Sequence, residues 1–190
     1  MTRQTLRDRL ISVRRANEGD AETLAECNVE CWRAAYSSLV PADFLEAMSV
    51  GEQAARFRRF LTPDADAEVW LAEDDRRLLG YASLGPSRDE QATAGGAELY
   101  ALYVMPDAWR RGLGRLLHER ALERLRARGA TLATLWVFED NRRARAFYEA
   151  LDWTRGPERR ELELAGSALS VVRYTRPLDD VGAPGTTVAS

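Results

Sequence analysis

Residues 109–115 read Trp-Arg-Arg-Gly-Leu-Gly-Arg, so two glycines one residue apart sit among Arg110, Arg111 and Arg115. An apolar run, AELYALYVM (97–105), comes before them, and a leucine-rich run follows. In that run Leu113, Leu116, Leu117, Ala121 and Leu125 fall on one helical stripe, which Gly129 ends. A strand that enters a helix through such a turn leaves the first helical N–H groups without internal partners. Those donors and the helix dipole favour an anion. Gly112 and Gly114 have no side chains to hold a ligand away, and the arginines add positive charge. A pyrophosphate fits that arrangement.

Other chemistries fit less well. A dinucleotide-binding fingerprint wants a third glycine where Leu117 stands, although Glu139 and Asp140 occupy the place of its acidic residue. All 27 basic residues are arginine, which rules out a Walker-type phosphate loop and any lysine Schiff base. Cys27 and Cys31 are four apart on one expected helix face and read as buried structural thiols. With His118 alone they make no zinc site, so no metal is expected.

The elements that must position the turn follow from periodicity. A first strand is expected at 11–16, after a loose arm over 1–10. Asp20 reads as the N-cap of a helix carrying Leu24, Cys27, Cys31 and Ala35 on one stripe. A short helix opens at Pro41, and 51–61 continues helical. Segments 67–74 and 77–85 read as a hairpin, and 86–96 as a polar connection. Strand 97–105, the glycine-led helix, strand 131–138 and a short helix within 141–153 come next. A last hairpin pairs 159–166 with 169–178, and a disordered tail covers 179–190. Hairpins combined with one strand–helix–strand crossover imply an α/β fold: a mixed, mostly antiparallel sheet with helices on both faces, in a single domain over 11–178.

With both motifs in place, residues 98–151 resemble the GNAT superfamily, the acyl-CoA-dependent N-acyltransferases. LYVMPDAWRRGLGRLL is similar to that family's phosphate-binding segment, and NRRARAFYEALDW to its second signature, N-x-x-A-x-x-x-Y-x-x-x-G-[FW]. Two positions depart from the pattern: Trp109 stands where Arg or Gln is usual, and Asp152 where Gly is usual. The resemblance implies splayed central strands and acetyl-CoA as co-substrate, attacked directly by an amine. Its pyrophosphate would lie on Arg110, Arg111, Gly112, Leu113, Gly114 and Arg115. The pantetheine arm would run along the main chain of Leu102, Tyr103 and Val104, and a main-chain N–H near Val104 would polarise the thioester oxygen.

By the same match Asn141 would contact the arm or nucleotide, and Tyr148 would protonate the departing thiolate. Asn141 also reads as an N-cap, and Tyr148 as a core residue with a satisfied hydroxyl. Glu98, fourteen positions before Gly112, matches the base of histone-acetylating relatives. Alternation would put it on the face of Tyr100, Leu102 and Val104. Its other readings are a polar strand start, with a water chain as the base. Trp32, Tyr36 and Phe44 either wall an acceptor pocket or pack as core. An N-acetyltransferase for a small-molecule or peptide amine is the first functional reading, and a non-catalytic acyl-CoA-binding module the second.

Composition agrees with a protein of the cytoplasm. The formal net charge is −3, so no overall basic field suggests nucleic acid. No apolar run approaches the ~20 residues of a membrane span, and the N-terminus has no signal-type apolar core. Assembly as a homodimer is compatible with all of this.

Overall fold

The computed structural model describes residues 2–6, 9–75, 77–89, 92 and 95–178. Eight strands form one sheet: β1 (Thr2–Leu6), β2 (Arg9–Arg15), β3 (Glu68–Glu73), β4 (Leu78–Pro86), β5 (Gly96–Val104), β6 (Leu132–Phe138), β7 (Thr154–Leu164) and β8 (Ser167–Pro177). Their spatial order is β1-β2-β3-β4-β5-β6-β8-β7. Every neighbouring pair is antiparallel except β5–β6, which is parallel as the crossover requires. Among the described residues the α-helices are α1 (Ala21–Tyr36), α2 (Ala42–Ala47), α3 (Val50–Phe60), α4 (Leu113–Ala127) and α5 (Arg142–Glu149).

Within the expected loose arm, Thr2–Leu6 instead form β1, which pairs with β2 from Thr2↔Val13 to Leu6↔Arg9. The expected tail, 179–190, lies outside the described residues. Asp20 stands at the N-cap of α1 as expected, but its side chain makes no cap bond to that helix. Asn17 caps a short 3₁₀ turn over Glu18–Asp20, and the Asp20 carboxylate reaches back to the Asn17 N–H at 2.8 Å in a capping box. Asp20 also takes both terminal nitrogens of Arg14, which holds its carboxyl below the usual range.

Helices cover both faces of the sheet. Tyr81 of β4 points toward α1 and α3, where it accepts a hydrogen bond from Asn28 and packs on Phe57. Gly80 beside it faces the other way, toward Leu117 of α4. A Cβ at Gly80 would stand 2.4 Å from the Tyr103 carbonyl oxygen, so only glycine lets β5 lie this close. Cys27 and Cys31 are buried, unbridged thiols with their sulfurs 3.9 Å apart.

The feature that creates a site is the seam between β5 and β6. Their register runs only over Gly96↔Leu132, Ala97↔Ala133 and Glu98↔Thr134. β4 stays paired with β5 to Val104, and β8 with β6 to Phe138. Beyond Glu98 the two central strands therefore diverge while each keeps its outer neighbour. This is the expected splay.

Candidate active site

Strand geometry decides which main-chain groups face the gap. Met105 N–H donates to the Leu79 carbonyl at 2.9 Å, and the Tyr103 carbonyl lies against Gly80. Tyr103 and Met105 thus turn their main-chain groups toward β4, and alternation turns those of Leu102 and Val104 toward the splay. The sequence-based expectation that Tyr103 would offer its main chain to a ligand is corrected accordingly. Its side chain instead reaches the α1 face, where its hydroxyl lies 3.3 Å from that of Tyr36. The Val104 carbonyl is already taken, accepting from the Trp109 indole N–H at 2.7 Å. The Val104 and Leu102 amides and the Leu102 carbonyl remain directed into the gap.

At the open end of β5 the chain turns into α4. Arg110 and Gly112 both have left-handed backbones, φ 60° and 80°. The first hydrogen bond of the helix runs from Leu116 N–H to the Gly112 carbonyl, which leaves the amides of Leu113, Gly114 and Arg115 without protein acceptors among the described residues. Gly114 has the Phe147 ring 3.4 Å from where its Cβ would be, so α5 lies directly across the first turn of α4. Asn141 caps α5 by accepting from Ala144 N–H at 3.0 Å. The glycine turn and α5 therefore stand side by side at the open end of the splay.

Tyr148, on α5, is buried and packs on Phe147 and Trp153. Among the described residues its hydroxyl has no hydrogen-bond partner. A core tyrosine with a satisfied hydroxyl would have one. Burial, with a smaller contribution from Tyr36, pushes its phenol up, so it stays protonated.

Glu98 differs most from expectation. Leu84 pairs with Leu99 and Ser83 with Ala101, so Tyr100 is an extra, bulged residue. The bulge resets the alternation. Glu98 shares its face with Ala101 and Tyr103, not with Leu102 and Val104. It also lies in the paired segment of β5. Its buried carboxylate accepts from Arg88 N–H at 2.9 Å, and its two oxygens both meet the Arg88 guanidinium.

Two further groups had no sequence signal. His118 is buried in the α4 stripe, and its Nε2 accepts from the Trp153 indole at 2.8 Å, so Nδ1 carries the proton. Burial first, then the charges of Arg176, Arg115 and Arg126, lower its pKa to about 4. Asp89, from the β4–β5 connection, meets Arg160, Arg173 and the Trp136 indole on the α1 face.

His118 makes stability depend on pH. Its folded pKa lies below the unfolded ~6.5, so the unfolded chain binds the proton first as pH falls. The contribution is complete above pH ~6.5 and is lost toward about 4, amounting to roughly 3 kcal/mol. The expected result is a difference between wild type and His118→Gln that varies across this window in chemical denaturation. A difference independent of pH would contradict it.

The comparisons with known proteins agree with this geometry. Residues 24–153 match the model of the acetyltransferase (GNAT) family. An uncharacterized N-acetyltransferase, YuaI, of Bacillus subtilis (strain 168) is 32% identical over 164 residues, 86% of this chain and 91% of that protein. The mycothiol acetyltransferase of Beutenbergia cavernae is 44% identical over 86 residues, 45% of this chain but 28% of that longer protein. The crystal structure of the PaiA N-acetyltransferase of Thermoplasma acidophilum in complex with coenzyme A has the same fold, with a TM-score of 0.70 at 21% identity, covering 86% of this chain and 97% of that one. The chain belongs to the GNAT family, the class of acetyl-CoA-dependent N-acyltransferases. Among the described residues no cluster of His, Cys, Asp or Glu is arranged to hold a metal, and no helix is long and apolar enough to cross a membrane.

Proposed function

We propose that the chain transfers the acetyl group of acetyl-CoA to a primary amine by direct attack, with the thioester lying in the β5–β6 splay. The observation that carries this reading is that the Tyr148 hydroxyl has no partner among the described residues, while the amides of Leu102 and Val104 and those at the start of α4 lack acceptors there. The turn Arg110–Arg115 takes the pyrophosphate. Asn141 keeps its side-chain oxygen on its cap and touches the arm through its remaining groups.

The neutral amine forms the C–N bond to the acetyl carbonyl carbon while the Val104 N–H stabilises the developing oxyanion. The C–S bond then breaks. A free thiol has a pKa of ~8.5, below that of a buried phenol. Tyr148 therefore stabilises the leaving thiolate by donating a hydrogen bond and keeps its own proton, while the proton released by the attacking nitrogen passes through water to the departing thiolate. The acceptor enters on the α1 face, past Trp32, Tyr36 and Phe44. These pack together with Phe138 and are only partly buried. Such a wall suits an amine with an apolar neighbouring group.

Water is assigned as the base, because Arg88 holds both oxygens of Glu98. The expected result is that Glu98→Gln lowers kcat/KM by a factor that stays constant over pH 6–10, with a stability loss of about 1 kcal/mol from the broken charged hydrogen bonds. A defect that disappears at high pH, where the amine is neutral without help, would return Glu98 to the role of base. The function itself is tested by screening primary amines with acetyl-CoA and following free thiol. Acceptor-dependent thiol release supports it, and binding of coenzyme A with no turnover over a broad amine panel counts against it.

A further inference from the structure

Trp109 fills a position where the family pattern has Arg or Gln, and the structure gives it a different job. Its indole N–H is fixed to the Val104 carbonyl, and the Arg143 guanidinium lies 3.5 Å from the centre of its ring. Arg143 belongs to the first turn of α5, so this stacked pair bridges the open end of the splay from the turn after β5 to the helix after β6. A ring, and not a carboxylate, holds Arg143. Burial and the neighbouring charge of Arg110 both lower its pKa.

Many arginines of the chain form ion pairs: Arg14 has Asp20 and Glu73, Arg124 has Glu68, and Arg173 has Asp89 and Glu158. Among the described residues, Arg110 and Arg143 form no ion pair, although the chain has 30 acidic residues. Two like charges kept together without a counter-charge raise the free energy of the ligand-free protein, and an anion between them removes that cost. Packing on Trp109 accounts for the pose of Arg143 but not for the unneutralised Arg110 beside it.

We propose that Arg143, held by Trp109, and Arg110 form a second anion site at the mouth of the splay, and that it takes the 3′-phosphate of coenzyme A. The inference rests on the acetyl-CoA reading above. The amides of Leu113, Gly114 and Arg115 already serve the pyrophosphate. The ribose 3′-phosphate is the remaining charged group of the coenzyme, and a phosphate monoester suits paired guanidinium groups.

The test is calorimetric binding of coenzyme A and of 3′-dephospho-coenzyme A to wild type, Arg143→Gln and Arg143→Lys. Wild type should prefer coenzyme A by about tenfold or more, in line with a charge-assisted contact. Arg143→Gln should lose most of that preference, weakening coenzyme A about tenfold and the dephospho form less than threefold. Arg143→Lys, which keeps the charge but not the planar stack, should fall between. Equal weakening of both ligands would move Arg143 to the pyrophosphate or to a structural role and overturn the assignment, as would unchanged binding of both. Failure of wild type to bind coenzyme A at all would overturn the acetyl-CoA reading itself, and this inference with it.

Discussion

Tyr148→Phe is expected to lower kcat by ~10²–10³-fold while leaving the affinity for acetyl-CoA nearly unchanged. Removing one hydrogen-bond donor from charge that develops only in the transition state typically has an effect of this size. The phenyl ring still fills the space between Phe147 and Trp153, so packing is retained. The hydroxyl makes no protein hydrogen bond among the described residues, so its loss leaves no buried group unpaired. The structure thereby separates the two roles of a buried tyrosine: a fold role predicts a lower melting temperature, a catalytic role an unchanged one. Thiol release under saturating acetyl-CoA, together with a thermal melt, reads both. A stable variant with wild-type turnover would return Tyr148 to the core.

The second large effect is expected at the glycine turn. Gly112→Glu should weaken coenzyme A binding at least tenfold, about 1.4 kcal/mol. Two causes act there. Gly112 has φ 80°, where a residue with a Cβ is strained by roughly 1–2 kcal/mol. The carboxylate would also stand beside the amides that meet the pyrophosphate. Gly112→Ala separates the two, because it brings the strain without the charge. The Ala variant should lose stability and keep most of its affinity, and the Glu variant should lose both. A folded Glu variant with wild-type affinity would show that the pyrophosphate lies elsewhere.

The parts of this site that were legible in the sequence are those that depend on local chemistry. A G-x-G turn at a helix start, a stripe of leucines and an Asn at an N-cap each act within a few residues, and their spacing shows it. The splay was implied by the resemblance, and the register of β5 with β6 bears it out. Long-range geometry was not legible. One inserted residue, Tyr100, moved Glu98 to the other face of β5, and a period-2 reading carries no signal for a bulge. The Arg88 partnership depends on how the 86–96 connection folds back. The Trp109–Arg143 stack joins residues that follow different strands, so neither motif revealed it. Asp152 was legible as a departure, and its physical reason is now visible: φ is 61°, the left-handed backbone for which the family pattern uses glycine and which Asp tolerates better than most residues.

The three register pairs that join β5 to β6 also have a mechanical consequence. On one side of the seam lie β1 to β5, and on the other β6, β8 and β7, each held by longer antiparallel ladders. The seam is the shortest ladder in the sheet, and the Asp89 contacts with Arg160 and Arg173 reinforce it from one face. Two plates joined at such a hinge open along it before either plate unravels, so amide exchange should divide the molecule into two cooperative units at this line. A molecule seated in the gap, bonded to the amides of one plate and flanked by α5 of the other, acts as a rivet. Its binding would be registered across the whole sheet as slower opening of the hinge, far from any atom it touches.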